Sequence, residues 1–146
     1  MEKMTIWFDM DGTIADLYGV KDWLPMLIAE NPAPYELATP MLNMNVLARK
    51  LNKIRRAGYK LGVISWLSKN STASYDEKVK AAKLTWLKKH LKSVTFDEIN
   101  IVAYGTPKYT LGTGILFDDE KPNRDAWGEG AYHPNEIMNV LSSLAA

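Results

Sequence analysis

The chain of 146 residues contains no cysteine, which excludes disulfides, thiolate nucleophiles, zinc–thiolate sites and iron–sulfur clusters together. It also lacks a charge excess: 18 Lys and Arg stand against 17 Asp and Glu, a formal net charge of +1. A broad basic surface for nucleic acids or anionic membranes is therefore not expected, and an anionic ligand must be captured by a local site. No apolar run approaches the roughly 20 residues that span a bilayer. The opening segment meets Asp9 before a signal-peptide core could form. The expectation is a soluble, cytoplasmic protein with no membrane partner and no stable nucleic-acid partner. Nine glycines and seven prolines are too few for a low-complexity chain, while 47% hydrophobic and 24% charged residues suit a globular one. The length suits a single domain over residues 1–146.

What is present is a set of short apolar runs that stop at polar residues. Met4 to Phe8 reads as a buried strand ending at Asp9, and Lys60 to Ser65 as a second ending at a hydroxyl. Ile99 to Ala103 and Gly114 to Phe117 read as two more, the latter ending at Asp118-Asp119. Helical spacing fills the intervals: Asp22 to Glu30, stopped by Pro32 and Pro34; a segment capped by Asn43 or Asn45 and closed by Gly58; and Asn135 to Leu144. Ser74 with Glu77 reads as a capping box before the stripe Val79, Ala82, Trp86 and Leu87 of a long helix closing near His90. Alternating strands and helices indicate an α/β, Rossmann-like parallel sheet with helices on both faces, which binds ligands at the carboxyl ends of its strands. Residues from about 16 to 39 are the candidate insertion, a small helical cap of one or two short helices.

The segment Asp9-Met10-Asp11-Gly12-Thr13 carries the most chemistry. Carboxylates at i and i+2 leaving a strand point to one side, roughly 6 to 7 Å apart at about 3.3 Å per residue, and that gap admits one phosphoryl group. One carboxylate can attack phosphorus while the other protonates the departing oxygen. The plainer reading is a turn with two solvated aspartates. A calcium loop is disfavoured, because Ile14 stands at the EF-hand glycine and Val20 at its bidentate Glu. Asp118-Asp119, by itself an ordinary exposed turn, gains meaning from this pairing. Four carboxylates at one sheet edge are costly without a cation, and oxygen ligands with phosphate chemistry favour Mg²⁺.

With these motifs in order, the sequence resembles the haloacid dehalogenase-like phosphohydrolase superfamily. Asp9-Met10-Asp11-Gly12-Thr13 looks like its first motif, Ser65 its second, Lys108 its third and Asp118-Asp119 its fourth. The interval from Lys108 to Asp118, and Trp86-Leu87 between, look like the 5′-nucleotidase and deoxyribonucleotidase branch. The resemblance implies Asp9 as nucleophile and Mg²⁺ ligand, and Asp11 as general acid and then base, with its backbone carbonyl on the metal. It implies Asp118 as a further ligand with Asp119 beside it, Ser65 as a phosphate donor, and Lys108 as the countercharge that holds Asp9. The implied activity is Mg²⁺-dependent hydrolysis of a small phosphate ester, a nucleoside monophosphate being the named candidate, through an aspartyl-phosphate. The alternatives are a phosphatase for polynucleotide ends or phosphoproteins, a phosphotransferase, and a non-catalytic module that binds a phosphorylated ligand.

Of the aromatic residues Tyr18, Trp23, Tyr35 and Trp66, which could stack on a base, Trp23 and Tyr35 read as packing for the insert. Trp66 remains a substrate-binding candidate because it adjoins Ser65. The cations of Arg49-Lys50 and Lys53 to Arg56, and the lysines of the Ser74 to His90 helix, read as solvated faces. Lys83 is noted as able to reach a substrate. His90 and His133 lack partners at metal-ligand or triad spacing.

Overall fold

The computed structural model describes residues 3–145. In chain order the elements are β1 (Thr5–Phe8), β2 (Ala15–Asp16), α1 (Trp23–Ile28), α2 (Ala33–Leu37), β3 (Thr39–Pro40) and α3 (Met44–Arg56). There follow β4 (Lys60–Trp66), α4 (Ala73–His90), β5 (Glu98–Val102), β6 (Ile115–Phe117), α5 (Lys121–Trp127), β7 (Ala131–Tyr132) and α6 (Ile137–Leu144). Five strands form one parallel sheet in the order β5-β4-β1-β6-β7. The fold is the α/β, Rossmann-like one that the alternation of elements predicts.

Side-chain alternation along the strands divides the core. Ile6 and Phe8 of β1, Leu61 and Val63 of β4, and Ile115 and Phe117 of β6 pack with Leu47, Leu51 and Ile54 of α3 and with Ile137 and Leu141 of α6. The opposite face is thinner: Trp7, Ile64 and Leu116 form it, closed by Leu111 and by Trp127 of α5. Trp7 fills that layer because glycines leave it room. A Cβ on Gly62 or on Gly112 would fall directly on the Trp7 ring, and the indole Nε1 donates to the Thr113 carbonyl at 2.9 Å.

The segment between the first and second motifs leaves and rejoins the core through an antiparallel clip, in which Ala15 pairs with Pro40 and Asp16 with Thr39. It holds two short helices. The helical run of α1 ends at Ile28, ahead of Pro32, where Glu30 at φ 58° turns the chain and Asn31 N donates to the Met26 carbonyl. Pro34 then occupies the first turn of α2, where its missing N–H costs nothing. The insert packs on α4: Tyr35 is buried with Leu67, Tyr75, Val79 and Ala82, and Trp23 rests against this cluster. Trp23 thus packs the insert against a helix rather than against the sheet itself.

Three local expectations are corrected or settled. The long helix α4 is capped by Thr72, whose Oγ1 accepts from Tyr75 N at 3.2 Å, while Ser74 already has helical partners. Thr72 is in the extended conformation an N-cap requires, so the Ser74–Glu77 box is not used. Asn43, not Asn45, caps α3, accepting from Val46 N at 3.1 Å. The last helix begins at Ile137 after a 3-10 turn over Pro134–Glu136. Replacing Gly62 by Ala is expected to lower stability by about 1–3 kcal/mol through overpacking on Trp7. A reduced thermal midpoint checks this, and an unchanged midpoint would mean that the indole can shift freely.

Candidate functional site

β1 lies between β4 and β6, with Phe8 level with Val63 on one side and with Phe117 on the other. The residues leaving these three strands are therefore neighbours, and Asp9 N donates to the Phe117 carbonyl at 3.0 Å. Asp9, Ser65 and Asp118 are all buried, the last two completely. Lys108, 3% exposed on a 3-10 turn before β6, donates to Asp9 Oδ1 at 2.9 Å and to Asp118 Oδ2 at 2.7 Å. Burial alone would lower the pKa of this ammonium, but the two carboxylates outweigh burial and raise it.

Gly12, at φ +80°, turns the chain tightly after Asp11, and a Cβ there would overlap the Asp119 carboxylate. The turn brings Thr13 back under the site. Its hydroxyl donates to Asp9 Oδ2 at 2.9 Å and accepts from Asp119 N at 3.2 Å, joining the two acidic strand ends. Asp118 is further fixed by Glu120 N on Oδ1 at 2.9 Å, by Asn123 Nδ2 on Oδ2 at 3.1 Å, and by Arg124 on its carbonyl at 3.0 Å. Asn123 and Arg124 belong to α5, which is seven residues long and carries none of the apolar periodicity that would announce it.

Carboxylate oxygens of Asp9, Asp118 and Asp119 all lie within 4.8 Å of one another. Burial and then the Asp9 charge raise the Asp118 pKa, and the same causes push Asp119 up to about 8. Protons thus relieve a repulsion that a cation would relieve better. All donors are hard oxygens. When ionised, Asp9, Asp118 and Asp119 face the single ammonium of Lys108, leaving two negative charges for a divalent ion to balance. The residues present fit Mg²⁺.

Asp11 stands apart from that cluster and has its own lysine. Lys83, in the middle of α4, is fully buried, and its ammonium donates to Asp11 Oδ2 at 2.9 Å, Ser65 Oγ at 2.6 Å and the Trp66 carbonyl at 2.7 Å. The Tyr35 ring lies 5.0 Å from the same nitrogen. The solvated reading of this lysine is overturned. A signal for it was available: Lys83 falls four residues after Val79 and three before Trp86, on the buried stripe of the helix. Thr13 and Asn123 are the other polar contributors that motif reasoning left without a role.

Trp66 closes the other side of Lys108, with its ring centroid 5.3 Å from Nζ. It is held by its Nε1 donating to the Thr106 carbonyl at 2.8 Å and by the Tyr104 ring at 5.0 Å. A cavity of about 730 Å³ opens from these groups and reaches Asp9, Asp11, Lys108 and Asp119 at one end and the insert at the other. The structure therefore brings together Asp9, Asp11, Lys108, Asp118 and Asp119 at the cavity, with Trp66 in the wall. Ser65, inside β4 and fully buried, does not line it and joins the site only through Lys83.

A parallel sheet flanked by helices, with carboxylates leaving two adjacent inner strands, makes an α/β, Rossmann-like fold. Among solved structures, the chain is similar to the D,D-heptose 1,7-bisphosphate phosphatase from Burkholderia thailandensis. That likeness has TM-score 0.57 and 13% identity, over 96% of this chain and 99% of that one. It is also similar to a chain of the Pnkp1/Rnl/Hen1 complex, with TM-score 0.54 and 18% identity over 90% of this chain. It spans about half of that longer chain, 46%. At these identities the likeness establishes the fold. No family profile and no curated protein sequence matches the chain.

Lys83→Met leaves the Asp11 carboxylate without its ion-pair partner, and a loss of about 3–5 kcal/mol is expected in denaturant unfolding. In the Asp11→Asn background the same replacement should cost distinctly less. Equal costs in both backgrounds would show that the pair is not coupled.

Proposed function

We propose that the chain is an Mg²⁺-dependent phosphomonoesterase of the haloacid dehalogenase-like superfamily, acting through an aspartyl-phosphate on a small phosphate ester. The reading rests on one observation: a buried lysine clamps the carboxylate at the end of β1 to the carboxylate at the end of β6, beside a cavity. A nucleoside monophosphate is the candidate substrate, on the resemblance to the nucleotidase branch.

In the proposed reaction an Asp9 oxygen attacks phosphorus, forming an O–P bond as the bond to the leaving oxygen breaks. Asp11 gives its proton to that oxygen. The Ser65 hydroxyl accepts from Lys83 but is fully buried and outside the cavity lining, so its role in this reading is to position Lys83 rather than to touch the phosphoryl group. Lys108 neutralises charge developing on the phosphoryl group and keeps Asp9 in one orientation. Water then attacks phosphorus, Asp11 takes its proton, the Asp9–phosphorus bond breaks, and inorganic phosphate leaves. Between the two steps the Asp11 carboxylate is stabilised by Lys83. Asp9, Asp118 and Asp119 would hold Mg²⁺, which supplies charge neutralisation at the phosphoryl oxygens.

Phosphate release from an aryl phosphate is expected with Mg²⁺ and should vanish with chelator. Asp9→Asn should reduce it by about a thousandfold or more. Full activity in that variant, or metal-independent turnover, refutes the proposal. Mg²⁺ should also raise the thermal midpoint, since a ligand bound only by the folded state stabilises it. That rise should be lost in Asp118→Asn, as differential scanning fluorimetry would show.

A further inference from the structure

The proposed phosphatase leaves the far end of the cavity without a role, and beside the polar Ser68, Asn70 and Ser71 its wall carries a large apolar and aromatic share. The insert contributes Leu24, Leu27 and Ile28 of α1 together with Tyr18 and Trp23, whose rings meet edge to face at 5.0 Å. The strand ends contribute the Trp66–Tyr104 pair. Several of these groups are large, apolar and uncovered: Leu24 is 49% exposed, Ile28 76% and Tyr104 54%. An uncovered apolar set of this kind, continuous with a reaction centre, marks a ligand surface.

Charge sharpens the point. Among the described residues, Lys69 is the one cation that lines the cavity beyond the reaction centre, and it already lies over the Tyr104 ring at 6.0 Å. Glu30 and Glu120 line the cavity as well. A second phosphate would therefore meet two carboxylates and a single ammonium, with no cluster of arginines to receive it. The N-termini of α4 and α5 at the cavity already carry acidic groups: Glu30 accepts from the α4 cap Thr72, and Glu120 is itself the cap residue of α5. One phosphoryl group is provided for at the Asp9, Asp11 and Lys108 end, and none elsewhere.

Resting on the phosphatase reading, we propose that the substrate is a monophosphate ester whose leaving group is a flat aromatic body, held between the α1 face of the insert and the Trp66–Tyr104 pair. Trp66 is suited to this because its indole is fixed before any ligand arrives, by the Thr106 carbonyl and the Tyr104 ring, so little side-chain freedom is lost on stacking. Leu24 and Ile28 set specificity for the leaving group and take no part in phosphoryl transfer. Sugar phosphates lack the apolar surface to cover this wall, and bisphosphates or polynucleotide ends place further negative charge against it.

The test is a panel of kcat/KM values with Mg²⁺ for acetyl phosphate, 1-naphthyl phosphate, nucleoside 5′-monophosphates, a nucleoside 3′,5′-bisphosphate, glucose 6-phosphate and a phosphorylated oligonucleotide. Acetyl phosphate reads phosphoryl transfer without the wall. Turnover of 1-naphthyl phosphate or a nucleoside monophosphate roughly tenfold or more above glucose 6-phosphate and the bisphosphate is expected. In Leu24→Ser/Ile28→Ser, KM for 1-naphthyl phosphate should rise by about fivefold or more, and the ratio of kcat/KM for 1-naphthyl phosphate to that for acetyl phosphate should fall by a similar factor. Acetyl phosphate turnover with no aromatic preference, or a preference for the oligonucleotide or the bisphosphate, overturns this inference and leaves the phosphatase standing. No turnover of any ester removes the phosphatase reading itself.

Discussion

Everything at the sheet edge is arranged around one buried ammonium. Lys108 sits between Asp9 and Asp118, the residues that leave two adjacent strands, and each of the three is almost wholly removed from water. Two carboxylates at this separation would otherwise repel, and a lone lysine at this depth would lose its proton. Each group is tolerable only because the others are present. Such an arrangement does little for net stability, since desolvation offsets much of the attraction. Its consequence is geometric: Asp9 has one orientation, set by Lys108 on one oxygen and Thr13 on the other.

The second lysine extends the same principle to the other carboxylate. Lys83 holds Asp11 and Ser65 from beneath, so three of the four acidic groups fall into two sets with separate countercharges. Asp119 is left over, with burial and the Asp9 charge disfavouring its ionised form. In the proposed reading, a divalent cation held by Asp9, Asp118 and Asp119 would relieve that repulsion beside the attacking carboxylate. Folding and chemistry are linked at this point: the helix that packs the insert, α4, is also the helix that delivers Lys83.

The sheet was legible in the sequence because each inner strand is an apolar run that stops at a polar residue, and the motifs sit on those stops. Asp9, Ser65 and Asp118 followed directly, since parallel strands expose their carboxyl ends on one side. Lys83 was obscured by composition. A lysine is so seldom fully buried that helical position, which placed it on the apolar stripe, was outweighed by its charge. The clip of β2 with β3, the strand β7 and the helix α5 were obscured by length, being two, two and seven residues long and stabilised by tertiary contacts rather than by periodicity. The misplaced cap of α4 has a related cause: Ser74 and Thr72 are both competent cap residues, and the chain path after β4 selects between them.

The fold is shared with proteins as different as a heptose bisphosphate phosphatase and a component of a Pnkp1/Rnl/Hen1 complex. In the proposed reading, the carboxylates and Lys108 would therefore form a reaction centre without defining a leaving group. What distinguishes leaving groups must lie where the cavity departs from the strand ends, and here that wall is built by a segment of about two dozen residues clipped at Ala15 and Pro40. A segment this short cannot enclose a large polar ligand with a full set of hydrogen bonds. It can present an apolar helix face at low cost, because Leu24, Leu27 and Ile28 need only a few turns of backbone to stand together. Small size thus favours recognition by shape and apolar contact over recognition by hydrogen-bond count, which is the selectivity expected of this cavity.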